Sequence, residues 1–163
     1  MAMAVAVMMG GAAQASEPAW LDIADGAGTC HAFASALVVA DAAGGVLARD
    51  DAALVDQYRA KVENLPREVM GTFAAMVSVV AVLDQAPKFV RDRAYGEAAP
   101  TTADALLTTF ADAEQNGRAA VLTLIRAGQL DGTRIASGLT ACADTLQGMR
   151  EAATGATRRF KEQ

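Results

Sequence analysis

The apolar pattern of this chain centres on Val69–Leu83, VMGTFAAMVSVVAVL, a stretch without a charge between Glu68 and Asp84. Its length exceeds that of an ordinary strand. Val77, Val79, Val80 and Val82 favour a strand, but Met70, Ala74, Ala75, Met76, Ala81 and Leu83 favour a helix. At helical spacing Val69, Phe73, Met76, Val80 and Leu83 share one face, and Gly71, Ala75, Ser78 and Val82 lie roughly opposite. One face is bulky and the other small, and neither is charged. A helix that is apolar all round belongs in a core or in a membrane. A span needs about 20 apolar residues, whereas Arg67 and Glu68 precede this run and Asp84 and Lys88 follow it. The expectation is a buried central helix.

The remaining pattern predicts amphipathic helices around it. A short helix over 17–24, with Ser16 as cap and Pro18 in its first turn, carries Trp20, Leu21 and Ile23. Asp25-Gly26-Ala27-Gly28 is expected to be a loop, with Thr29 capping a helix that runs to Ala43 and ends at Gly44-Gly45. Asp50 caps a helix with Leu54, Tyr58 and Val62 on its apolar face, and Pro66 is expected to break or kink the chain. Beyond Pro87, Lys88–Tyr95 forms a further turn or two, stopped by Gly96. Thr101 or Thr102 caps a helix with Leu106, Leu107 and Phe110 on its buried side. Asn116-Gly117 is expected to end it, before a short helix over 118–127. From about Arg134 to Phe160, the residues Ile135, Leu139, Cys142, Leu146, Met149 and Ala153 step by four and three, a heptad-like seam. The pattern predicts an all-α fold, one bundle of five to seven helices around Val69–Leu83, occupying residues 16–163.

Composition agrees with that class. The 163 residues include 39 alanines, the best helix former, and aromatics are only 5%. A net charge of −5 argues against a nucleic-acid partner, which would need a basic surface. The first residues, MAMAVAVMMGGAAQA, change the picture more. An apolar run, a Gly-Gly break and Ala13-Gln14-Ala15 before Ser16 form a signal-peptide pattern with cleavage after Ala15, although its start lacks Lys and Arg. Residues 1–15 are therefore expected to be a signal peptide, and the protein periplasmic or secreted, with no integral span in the mature chain. Cleavage would remove four of the seven methionines, which leaves a Met-rich copper site little support. Export in turn makes a disulfide between Cys30 and Cys142 the expected state of the two cysteines.

Candidate chemistry is sparse. The single histidine, His31, excludes a histidine cluster for metal. It follows Cys30 directly, so the two side chains point about 100° apart on a helix, poor geometry for a Cys–His pair. No C-x-x-C or C-x-x-C-H occurs, which removes thiol redox chemistry and covalent haem. Non-covalent haem between His31 and Met70, Met76 or Met149 is less economical than placing those methionines in the core. Asp112–Gly117, DAEQNG, matches the first half of a calcium loop, but Thr123 stands where the bidentate Glu is needed. The 19 carboxylates are dispersed, with no pair in the buried stretches to serve as general acid and base. No cofactor is expected. The sequence favours a non-catalytic exported helical protein that binds a protein partner or a small apolar ligand. An enzyme with an unrecognised site and a cytosolic helical interaction protein are the alternatives.

Overall fold

The computed structural model describes residues 19–42 and 52–163, and the regular structure among them is entirely helical. Five helices follow in order: α1 Trp20–Ala42, α2 Ala52–Asp84, α3 Lys88–Tyr95, α4 Ala103–Arg126 and α5 Gly132–Lys161. The processing residues Ala13, Ala15 and Ser16, the Gly44-Gly45 stop and the Asp50 cap lie outside the described residues.

The expected core stripe of α2 is present. Val69, Phe73, Met76, Val80 and Leu83 are almost completely buried, together with Val62 and Leu65 one and two turns earlier. The opposite face, Gly71, Ala75, Ser78 and Val82, is exposed. Both TM-like length and one-sided burial thus coexist in α2. The helix that touches all three other long helices is α1, which packs most closely on α4 and also meets α2 and α5. Trp20, Ala24, Ala27, Cys30, Ala34 and Leu37 are among its buried side chains.

Three expected interruptions are instead helix interior. Asp25–Gly28 lies within α1, Pro66 within α2 and Asn116-Gly117 within α4. At Pro66 the missing N–H and the ring clash cost about 3 kcal/mol in a helix interior. Burial of Val62, Leu65 and Val69 on one stripe offsets this, since each such side chain contributes roughly 1.5–3 kcal/mol. The glycines are contacts rather than turns. A Cβ on Gly28 would collide with the Phe110 carbonyl oxygen and stand 2.9 Å from both Ala113 Cβ and Glu114 N. A Cβ on Gly117 would meet Ala32 Cβ at 3.1 Å. Gly28 thus opposes Ala113, and Ala32 opposes Gly117, four residues further along each chain. That register makes α1 and α4 parallel and lets their backbones approach closely.

α5 follows the predicted seam. Ile135, Cys142, Leu146 and Met149 are buried, with Leu139 and Ala153 partly buried against the same core. Gly26 lies against Thr145 and Gly138 against the Phe33 ring, so α1 and α5 run antiparallel. Phe73 and Phe110 stack at 4.4 Å, and the Asp84 carboxylate accepts a hydrogen bond from the Ala103 amide at 3.0 Å, so α2 and α4 run antiparallel. Local chemistry starts the last two helices. Thr102 Oγ1 accepts from the Ala105 amide at 3.1 Å, and Asp131 Oδ1 accepts from the Arg134 amide at 2.9 Å. Thr102, rather than Thr101, is the cap.

α3 closes the end of the bundle where α1 and α4 begin. Tyr95 is fully buried, edge-on to Trp20 at 5.2 Å, and its hydroxyl donates to the Thr101 carbonyl at 2.9 Å. Gly96, at φ 64°, ends the helix in a left-handed conformation. The Arg159 guanidinium donates to the Ala94 carbonyl at 2.8 Å and ties α5 to this turn. Burial raises the pKa of the Tyr95 phenol above its ordinary value of 10.0, against the lowering effect of its hydrogen bond to Thr101. Because the folded-state pKa is the higher one, the stability linked to this group is complete below the unfolded value and is lost as pH rises through the folded value. An alkaline absorbance titration at the tyrosinate band should show one late-ionising phenol that disappears in Tyr95→Phe. That substitution should cost about 1 kcal/mol through the lost hydrogen bond.

Candidate functional site

The two cysteines arrive from opposite sides of the core. Cys30 is buried on the α5 side of α1, and Cys142 lies in the α5 seam. Antiparallel packing brings their Cα atoms to 5.3 Å, with the sulfurs at disulfide distance across 112 residues of sequence. Such a pair is compatible with an oxidising compartment. Both side chains are almost wholly buried, so neither presents a nucleophile to solvent.

His31, one residue on, faces α4. Its Nδ1 lies 3.1 Å from Glu114 Oε1, and Arg118 donates from Nη2 to that same oxygen at 2.7 Å. The imidazole also sits against Phe110, with ring centroids 5.9 Å apart. One carboxylate oxygen is shared by an imidazole and a guanidinium, an arrangement that clasps α1 to α4. It does not resemble an activated nucleophile, because Cys30 points the other way. The calcium-loop match Asp112–Gly117 is helical throughout, and its Glu114 already serves this clasp. Among the described residues, no group of three or more His, Cys, Asp and Glu is placed to hold a metal ion. Of the methionines considered with His31, Met76 and Met149 are fully buried in the core, while Met70 is exposed.

The most distinctive surface lies where α2 and α5 run side by side. These two helices are parallel, since Glu68 pairs with Arg150 near the middle and Val79 lies beside Thr157 towards the end. Parallel packing leaves a groove along their outer side. Lys61, Asn64, Leu65 and Glu68 on α2 face Leu139, Ala143, Leu146 and Arg150 on α5 in its first half. The Glu68–Arg150 pair bridges it. In its second half Ala75 and Val79 face Ala153, Thr154 and Thr157, and Arg158, Lys161 and Glu162 close the end. That half has a volume of about 490 Å³ and lies open to solvent. Its floor continues onto the outer face of α2, which is uncharged from Met70 to Val82.

Such an arrangement differs from both a buried core helix and a membrane span. Two stretches, Trp20–Ala40 and Lys61–Asp84, are long and apolar enough to cross a bilayer. The first is 56% buried within the bundle, as a core helix would be, but the second is only 28% buried. The small outer face is therefore a surface rather than a packing interface of the described chain. Sequence periodicity locates that face correctly by residue. What it misses is solvent, because an uncharged face at helical spacing carries no mark of being left uncovered.

Comparison with protein-family models, with characterised proteins and with solved structures gives no match to this chain.

Proposed function

We propose that this protein is a non-catalytic, exported helical protein that binds a protein partner along the α2–α5 groove. Residues 1–15 are its signal peptide, residues 16–163 its single mature domain, and the periplasm or the extracellular space its compartment. The observation that carries the reading is the exposed, uncharged strip from Met70 to Val82 beside an open apolar groove. A drug-sized ligand is ordinarily buried over most of its surface. An open channel between two parallel helices instead suits an amphipathic helix, whose apolar anchors recur every three or four residues. Small side chains at Gly71, Ala74, Ala75 and Ser78 let such a helix approach closely. The cysteine pair supports the compartment, because a crosslink of this kind persists where the environment is oxidising.

Two measurements test the proposal. Intact mass of protein expressed from the full sequence in a Gram-negative host should begin at Ser16, with both thiols blocked until reduction. A full-length mass with two free thiols would overturn export. Partner binding is tested by Ala75→Glu, which places a charge in the groove at an exposed position and should leave the helical content and unfolding midpoint unchanged. Partners crosslinked to the native protein in the envelope should be lost from this variant. Retention of every partner would remove the groove as the binding surface.

A further inference from the structure

Exposed large apolar side chains are not spread evenly over the bundle. Among the described residues Leu21, Val39, Met70, Val82, Phe89, Leu107 and Phe160 are so exposed. Leu21 opens α1, Val82 ends α2, Phe89 begins α3, Leu107 is in the second turn of α4 and Phe160 is in the last turn of α5. Five of the seven therefore cluster at one end, the end that α3 closes. Phe89 is 73% exposed, far more than packing alone would leave a phenylalanine on a short helix.

Charge at this end runs against the charge of the chain. α3 and the last residues of α5 carry Lys88, Arg91, Arg93, Arg158, Arg159 and Lys161 against Asp92 and Glu162, in a protein of net charge −5. The two segments are neighbours in space, since Gln163 Nε2 donates to the Val90 carbonyl at 3.3 Å and Arg159 donates to the Ala94 carbonyl. Lys88 is paired with Asp92, and Arg159 is occupied by the α3 turn. Arg93, Arg158 and Lys161 are exposed and have no ion-pair partner among the described residues. On α3, Phe89 and Arg93 are four residues apart and share the face opposite the buried Tyr95.

We propose that the α3 end of the bundle, with Phe89 inserted and Arg93, Arg158 and Lys161 on the headgroups, docks on the surface of an anionic lipid bilayer. The occupant follows from the pairing of chemistries. Unneutralised cations around exposed aromatic and aliphatic side chains match a plane that is apolar beneath an anionic surface. Each Lys or Arg near such a surface adds about 1 kcal/mol, and a buried phenylalanine roughly 1.5–3 kcal/mol. Together these are enough for reversible attachment without any span. Glu97, Glu162 and Asp104 share this end and would sit at its rim, so binding should be reversible and should weaken with salt. The surface adjoins the α2–α5 groove but does not depend on a partner occupying it.

The test uses the full chain and sedimentation with vesicles of equal parts phosphatidylglycerol and phosphatidylcholine. The native protein should bind these, should bind vesicles of pure phosphatidylcholine far less, and should be released by high salt. Phe89→Ser with Arg93→Ser should weaken binding roughly tenfold or more, while Val39→Ser at the other end should leave it unchanged. Both sites are exposed, and unaltered circular dichroism would show that the variants fold. Any apolar N-terminal segment is identical in all of them, so differences report on the α3 end. Absent binding, equal binding to both kinds of vesicle, or binding indifferent to the double substitution would each overturn the proposal. Retention on native membranes alone, with pure-lipid vesicles failing, would assign the surface to a protein partner and overturn it likewise.

Discussion

Reduction of the Cys30–Cys142 pair should lower stability by about 4–5 kcal/mol, which corresponds to a melting temperature roughly 10–15 °C lower for a chain of this size. The magnitude follows from topology. The pair is separated by 112 residues, so a crosslink there removes the loop-closure entropy of most of the chain from the unfolded ensemble. It also joins α1, which touches every other long helix, to α5, the longest helix of the carboxyl-terminal half. Urea unfolding with and without reductant isolates the crosslink from the packing of the sulfurs. In Cys30→Ala/Cys142→Ala the midpoint should be at least as low as that of the reduced protein, because two buried sulfurs are also lost. Its midpoint should no longer respond to reductant. A native protein indifferent to reductant would mean that the cysteines are not bonded in solution, and the compartment inferred from them would lose its support.

Where the amino-acid pattern predicts this fold well, one physical rule dominates. The α5 seam is legible from Ile135 to Ala153 because alternating four- and three-residue steps place every member on one face, and nothing in that segment competes with a helix. The core stripe of α2 is legible for the same reason. At 25–28, 66 and 116–117 two rules conflict, and local propensity points to breaks while tertiary contact maintains the helix. Glycine has two uses, turning a chain and thinning a helix, and single-helix periodicity does not separate them. The signal that does is a relation between segments: Gly28 and Ala32 on α1 are complementary to Ala113 and Gly117 on α4, with the same four-residue spacing. It becomes visible only when parallel α1 and α4 are set side by side. The same limit applies to the candidate site. Ala75 and Val79 are identifiable as apolar positions, but that α5 would lie parallel to α2 and leave a groove rather than cover that face depends on the whole arrangement.

Those glycines yield an effect of opposite sign at positions that look alike in sequence. Gly28→Val should destabilise the protein by about 4 kcal/mol or more, or prevent folding, because the new side chain would occupy the Phe110 carbonyl oxygen and the α4 backbone at Glu114. Even Gly28→Ala should cost about 2–3 kcal/mol, since the obstacle is backbone that can yield only if α1 and α4 separate. Gly138→Ala should cost less, because its obstacle is the Phe33 ring, which can rotate away. Gly71 and Gly148 are also inside helices, but nothing lies within 4 Å of a Cβ there. At these two positions alanine should raise stability by about 0.5–1 kcal/mol each, through better helix propensity and a less flexible unfolded chain. Urea midpoints of the five variants provide the check. If Gly28→Ala and Gly71→Ala shifted the midpoint in the same direction, the close parallel approach of α1 to α4 would be wrong. The register of the bundle and the burial of Cys30 beside it would then have to be redrawn. The expected divergence would instead locate the tightest contact of the fold on α1, and would leave Gly71 on an outer α2 face free to accept a partner without cost to stability.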